Sequence, residues 1–150
     1  MKSELTHEVL ARGVCISGGN ILLCRAVGSK RSYLPGGHID PGEAASEALT
    51  REIKEELGLE SAAGGFLGSA EHFFISKQGP VYELNFVFHL SIPAISSAKA
   101  PQSAESYIEF FWQPLTGLAD AGFEPAALGQ DLPEWLENGS GQNFSSSYQH

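Results

Sequence analysis

The longest regular alternation in the chain runs from Val81 to Ile92, where Tyr82, Leu84, Phe86, Phe88, Leu90 and Ile92 take turns with Val81, Glu83, Asn85, Val87, His89 and Ser91. A period of two is that of a strand with one buried face. It assigns the aromatic set to the core and puts Glu83, Asn85 and His89 on a polar face. Residues 66–76 supply a second strand, joined to the first through Lys77-Gln78-Gly79-Pro80. Nearer the start, the apolar runs 8–16 and 20–27 flank Ser17-Gly18-Gly19-Asn20 and predict a hairpin, and residues 107–115 give one more strand. Between these lies a helix, predicted from about Glu43 to Leu57, with Ala44, Ala45, Ala48 and Leu49 as good formers. Asp40-Pro41-Gly42-Glu43 offers a cap and a first-turn proline, and Gly58 sits where a left-handed cap belongs, so that Leu59 can fold back on Ile53. Shorter helical pieces are expected at 114–121 and 125–136. The pattern is α+β: a single domain over 1–137, followed by a Gly/Ser/Asn/Gln tail, 138–150, expected to be disordered.

Composition narrows the partners. With 150 residues and 42% apolar content the chain can bury one full core but is short for two domains. It has no unbroken apolar run of roughly 20 residues, and Met1-Lys2-Ser3-Glu4 begins no apolar signal segment, so a cytoplasmic protein without a membrane partner is expected. Cys15 and Cys24, across the glycine turn, would be diagonal neighbours about 7 to 8 Å apart, too far for a disulfide, which predicts free buried thiols. Eighteen acids against nine Lys and Arg give a formal charge of −9, which argues against duplex nucleic acid as partner. A phosphorylated small molecule would need a cation as intermediary. A homodimer stays open.

On a helix advancing about 100° per residue, Glu52, Glu55 and Glu56 fall within an arc of about 100°, beside an apolar stripe of Ala45, Leu49, Ile53 and Leu57. Like charges at i,i+3 and i,i+4 each cost roughly 0.2 to 0.5 kcal/mol, and the C-terminal half of a helix disfavours negative charge. Lys54 points to another side. Such a cluster is unfavourable without a bound cation, and hard oxygen donors suit Mg²⁺ or Mn²⁺. An isolated E-x-x-E-E is more often a solvated acidic face, so the surroundings decide.

Gly37, Glu43, Arg51, Glu52, Glu55, Glu56 and Gly58, with apolar Ile53 and Leu59, occur at the spacing G-x5-E-x7-R-E-U-x-E-E-x-G-U, where U is a bulky aliphatic residue. At usages of about 6% per named residue, a chance match is on the order of one in ten million. The pattern resembles the Nudix box at every specified position. The resemblance covers about residues 8–136, including Leu34-Pro35-Gly36-Gly37 before the helix and Phe111-Trp112-Gln113-Pro114-Leu115 after it. It implies the Nudix fold, a mixed β-sheet sandwiched between helices. It also implies a pyrophosphohydrolase that uses Mg²⁺, with Mn²⁺ as a substitute, to direct water at phosphorus. The linkage attacked would be the diphosphate of a nucleoside triphosphate, a nucleotide sugar or a similar molecule. By the same resemblance Glu52, Glu55, Glu56 and the Gly36 carbonyl are metal ligands, and Arg51 and Glu43 are an ion pair holding loop and helix in register.

The family often adds a carboxylate from beyond the box. Glu105 is the first candidate and Glu109 the second, both preceding the Trp112 strand, with Glu52 as the competing base. The expected catalytic set is thus Glu52, Glu105 and Arg51. Arg25, Lys30 and Arg31 flank the glycine-rich loop and could meet phosphate, and Tyr33 or Phe74 could stack a base. Of these, Arg25, Arg31 and Tyr33 form the expected substrate set. His72 and His89 read as structural strand residues. A family proline marker for ADP-ribose, about 15 residues past the box, is replaced here by Phe74, so the resemblance does not single out that substrate. Two rivals share the fold: an isopentenyl-diphosphate-isomerase-like enzyme, which depends on a reactive cysteine, and a nucleotide-sensing module without turnover.

Overall fold

The computed structural model describes residues 4–139 and 142–148. The chain passes through β1 (Thr6–Val14), β2 (Ile16–Ser17), β3 (Asn20–Ala26), β4 (Gly36–His38), α1 (Ala45–Leu57), β5 (Ala62–Ser76), β6 (Gly79–Ser91), β7 (Ile108–Pro114), a 3-10 segment (Leu115–Ala121), α2 (Ala126–Asn138) and β8 (Asn143–Ser146). One sheet has the order β4-β1-β6-β5-β8 and the other β2-β3-β7. The larger sheet is mixed, with β1 parallel to β6, β5 parallel to β8, and antiparallel pairs between them. Helix α1 buries Ala48, Leu49, Ile53 and Leu57 with Ala11, Cys24, Leu90 and Ile92. Helix α2 buries Leu128, Leu132 and Trp135 in a second cluster with Val14, Leu67, Ala70 and Val87. The two helices therefore cover separate apolar clusters around the mixed sheet. Among the described residues no helix is long and apolar enough to cross a membrane.

Helix α1 starts slightly later than its sequence suggests. Ala44 is the cap residue, and Glu47 reaches back to accept its backbone N–H at 3.3 Å, while Glu43 accepts the Asp40 N–H at 3.0 Å. At the other end Gly58, at φ 69°, donates its N–H to the Lys54 carbonyl, and Leu59 packs on the cluster that contains Ile53. Both cysteines are buried and free.

Three sequence expectations differ from the structure. The glycine turn closes only the short hairpin β2–β3, because the chain changes sheets at Cys15 and β1 pairs with β4 and β6 instead of β3. On β6 the Val81, Asn85 and Val87 side is buried, whereas Tyr82, Leu84, Phe86 and Phe88 are half-buried. Alternation showed the more apolar side; it could not show that α2 covers the other one at Val87, nor that α1 seals the aromatic side only near Leu90 and Ile92. Thirdly, part of the expected disordered tail is ordered: β8 adds to β5, Asn143 Nδ2 donates to the Leu67 carbonyl at 2.8 Å, and Ser147 Oγ accepts the Phe73 N–H at 2.9 Å. Polar side chains that match a sheet edge escape a composition argument. Positions 140, 141, 149 and 150 of that tail lie outside the described residues.

Candidate active site

The site begins where β4 meets α1. Gly36 has a φ of 139°, and a side chain there would overlap the Ala11 carbonyl oxygen. At Gly37 an added Cβ would stand 2.5 Å from Glu52 Cδ. Only glycine lets this backbone lie against that carboxylate. The Gly36 carbonyl belongs to the peptide joining the two glycines, so it lies at the same contact.

Arg51 organises the carboxylates. Its Nε and Nη2 donate to the two oxygens of Glu43 at 2.7 and 3.0 Å, a bidentate pair, and Nη2 also reaches the His38 carbonyl at 3.0 Å. Nη1 donates to Glu52 at 3.0 Å and to Glu55 at 3.3 Å. Arg51 and then the Asp40 amide hold the Glu43 carboxyl down at about 2. Glu56 is mostly buried, and its Oε2 has no partner. Burial first, and then the charge of Glu52, push its carboxyl up to about 8, with Arg12 pulling the other way. Among the described residues no three acidic, His or Cys side chains already converge as a metal-binding group. Glu52 and Glu55 are instead turned onto Arg51. The donor set still fits a hard divalent cation: it is all oxygen, multiply charged, and includes a buried carboxylate oxygen without a partner.

A loop from the far side closes on the same helix. Ala104 N donates to the Glu56 carbonyl at 2.7 Å, and Ser103 Oγ donates to it at 3.3 Å and to the Glu105 carbonyl at 2.8 Å. The charge of Glu105, and after it those of Glu56, Glu52 and Glu55, push the Tyr107 hydroxyl up.

At Arg12, opposite Gly36 on the neighbouring strand, opens a cavity of about 500 Å³, lined also by Arg31, Tyr33, Phe74, Asn85 and Glu124 among others. His72 and Glu83 also line it, and His72 stacks on Phe74 with ring centroids 5.1 Å apart. His72 Nδ1 is buried without a partner, and burial lowers its pKa against the opposing charges of Glu83 and Glu124. A mostly apolar cleft with a few charged groups in its wall, one strand from a carboxylate face, suits a small molecule with an apolar or aromatic part and an anionic end.

Comparison with known proteins gives this geometry a lineage: the model of the NUDIX domain matches residues 7–137. The chain belongs to the NUDIX family. It is 36% identical over 87 residues to the 8-oxo-dGDP phosphatase NUDT18 of Homo sapiens, a match covering 57% of this chain and 24% of that protein. It is 29% identical over 102 residues to the ADP-ribose pyrophosphatase of Methanocaldococcus jannaschii, covering 68% of this chain and 57% of the relative. The chain thus spans about a quarter of the length of the human relative and little more than half of the archaeal one. Among solved structures, a MutT protein from Methanosarcina mazei Go1 superposes with a TM-score of 0.64 at 21% identity, over 91% of this chain and 98% of that one. The two relatives are named as a phosphatase and a pyrophosphatase.

Of the residues expected from sequence, Arg51 meets Glu52 and Glu55, the backbone next to Gly36 lies against Glu52 at Gly37, and Glu56 and Glu105 are joined through the loop that docks on the end of α1. Tyr33 and Arg31 line the cavity, as does Phe74. Arg25 does not: its Nε pairs with Glu109 at 2.7 Å across the β3–β7 ladder, and its guanidinium lies 4.4 Å from the Phe111 ring centroid. That pair also occupies Glu109. His72, read from sequence as structural, is instead a cavity residue with an unpaired nitrogen. Sequence reasoning missed Arg12, Glu83, Asn85 and Glu124. The available signal was the occurrence of Arg12, Glu83 and Asn85 in mid-strand, each between apolar or small chain neighbours.

Proposed function

We propose that this protein hydrolyses a diphosphate linkage in a nucleoside diphosphate joined to another moiety, a nucleoside triphosphate or nucleotide sugar among them, with Mg²⁺ or Mn²⁺ as cofactor. The carrying observation is a carboxylate face, with one buried unpartnered oxygen on Glu56, one strand away from Arg12 and the cavity of about 500 Å³ that it lines. The archaeal and human relatives are named for ADP-ribose and 8-oxo-dGDP, both nucleoside diphosphate compounds, which agrees with this class. Two free thiols favour a cytoplasmic, reducing location.

Glu52, Glu55, Glu56 and the Gly36 carbonyl would hold the cation, which when bound screens the diphosphate charge and lowers the pKa of a water molecule. Arg51 keeps Glu52 and Glu55 from splaying apart, and it can release one oxygen of each without moving, because Glu43 fixes it from behind. Glu105 is the proposed base, close to the carboxylates on a loop fastened to the end of α1, and it would take the proton of the attacking water. Glu52, at 18% side-chain exposure, is the alternative base.

An isomerase-like reading is disfavoured by the thiols: burial raises both Cys15 and Cys24, so neither has the thiolate character that such chemistry needs. A sensing module would not need every box carboxylate. The test is phosphate release from a nucleotide panel in Mg²⁺, with and without coupled pyrophosphatase and phosphatase, repeated in ¹⁸O-water. Turnover that stops in excess EDTA and places ¹⁸O in a phosphate product is expected; turnover that persists in EDTA, or label on carbon, overturns the reading.

A further inference from the structure

The arginines around the site are used differently. Arg51 faces Asp40, Glu43, Glu52 and Glu55, and Arg25 faces Glu109, whereas the half-buried Arg12 forms no ion pair among the described residues. Its two protein hydrogen bonds go to neutral acceptors, Nε to Asn85 Oδ1 at 3.3 Å and Nη1 to the Leu34 carbonyl at 3.1 Å. Asn85 is 3% exposed and is itself held through Nδ2 by the Ala70 carbonyl at 3.3 Å, so the oxygen it offers Arg12 is fixed. The Arg12 guanidinium lies over the Tyr33 ring, its Cζ 5.4 Å from the ring centroid. This leaves three of the five N–H donors of an oriented cation without a protein acceptor. Glu56 acts on Arg12 only at a distance, without an ion pair or hydrogen bond, and a bidentate anion is what the free donors of a partly buried guanidinium accept.

Position indicates which anion. Arg12 is opposite Gly36 in the β1–β4 register, and so is one strand away from the contact between the Gly36-Gly37 backbone and Glu52. On its other side it lines the cavity that holds Phe74 and His72. A group bound by Arg12 therefore stands between the carboxylate face and the cavity. We propose that Arg12 binds the phosphate attached to the nucleoside, on the cavity side of the scissile linkage, and so sets which phosphorus meets the carboxylates. This rests on the proposed function, with the nucleoside taken to lie in the cavity beside Phe74 and Tyr33, and it replaces Arg25 with Arg12 as the phosphate contact.

Binding measured in EDTA separates this assignment from the hydrolysis reading, because no turnover is required. AMP, GMP, CMP and UMP, and the four corresponding nucleosides, are titrated into the full chain by NMR or calorimetry. The wild type should bind at least one monophosphate at least tenfold more tightly than its nucleoside. Arg12→Gln should reduce that advantage to twofold or less while leaving nucleoside affinity unchanged, and Arg25→Gln should retain it. Arg12→Lys, which keeps the charge but not the fork, should lose at least threefold, and it decides the matter if the Gln variant gives no cooperative melt. The proposal is overturned if no monophosphate outbinds its nucleoside, if Arg12→Gln keeps the advantage or loses nucleoside affinity equally, or if Arg12→Lys is unchanged. Absence of hydrolysis together with an Arg12-dependent phosphate preference would sink the proposed reaction alone.

Discussion

Glu56→Gln should make the metal-free protein more stable while removing its activity. Without metal, the Glu56 carboxyl is pushed up to about 8 from 4.5, by burial first and by the charge of Glu52 second. Between those values the folded protein holds a proton that the unfolded chain has already lost, so this group favours folding at low pH and its contribution drains away as pH rises through the window. At about 1.4 kcal/mol per pH unit, going from pH 4.5 to 7 removes roughly 2 to 3 kcal/mol. Glutamine has the shape of the protonated acid and can likewise donate a hydrogen bond to Glu52, so the variant should show no such slope. In EDTA, parent and variant should coincide near pH 5 and differ by roughly 2 to 3 kcal/mol in favour of the variant at pH 7. In a domain of this size that is on the order of 5 to 10 °C in Tm. Millimolar Mg²⁺ should raise the parent by about 2.7 kcal/mol when present at a hundred times its Kd, and should raise the variant much less. Urea melts at pH 5, 7 and 8, in EDTA and in Mg²⁺, measure all of this. A parent-to-variant gap that is the same at pH 5 and 8 refutes the burial argument, and a full response of the variant to Mg²⁺ refutes Glu56 as a ligand.

Glu105→Gln should lower kcat far more than KM, as for a group acting in the transition state, in steady-state assays on the best substrate of the panel; an unchanged kcat transfers the role of base to Glu52. Glu43→Gln tests the support behind the site. The Glu43 carboxyl is held down at about 2 by Arg51, so its contribution to stability is present above 4.5 and is lost as pH falls toward 2. Urea midpoints should therefore show the variant weaker at pH 6, with the gap closing across that acid window, whereas a gap independent of pH would mean that the Arg51 pair contributes nothing.

The box helix was legible because its contacts are local. Glu43 and Arg51 are eight residues apart, Arg51 and Glu55 four, and Gly58 closes the helix from its own next position, so spacing on one helix and one turn carries nearly all the information. The clash of a Gly37 side chain with Glu52 is likewise internal to the box. What spacing could not supply was the state of the carboxylates without a cation. Charge repulsion suggested a strained cluster, but Arg51 takes up Glu52 and Glu55 and leaves the strain on Glu56.

The cavity was illegible for the opposite reason. Arg12 and Asn85 are 73 positions apart, and they meet only because β1 runs parallel to β6 in a register that puts Leu10 opposite Asn85 and Arg12 opposite Val87. Nothing in either strand alone states that register. The alternation on β6 points to apolar inside and polar outside, which is the ordinary arrangement of a sheet with one wet face. Here α2 lies over Val87 and leaves Glu83 and Asn85 lining a cleft. An asparagine that is 3% exposed, and satisfied by Arg12 and by the Ala70 carbonyl, argues for something the fold keeps beyond packing, since an apolar residue there would avoid burying the amide. The same reasoning sends Arg12 to an anion: a site that spends buried hydrogen bonds on orienting a cation, yet brings no carboxylate among the described residues within ion-pair distance of it, is shaped for a ligand that supplies the charge.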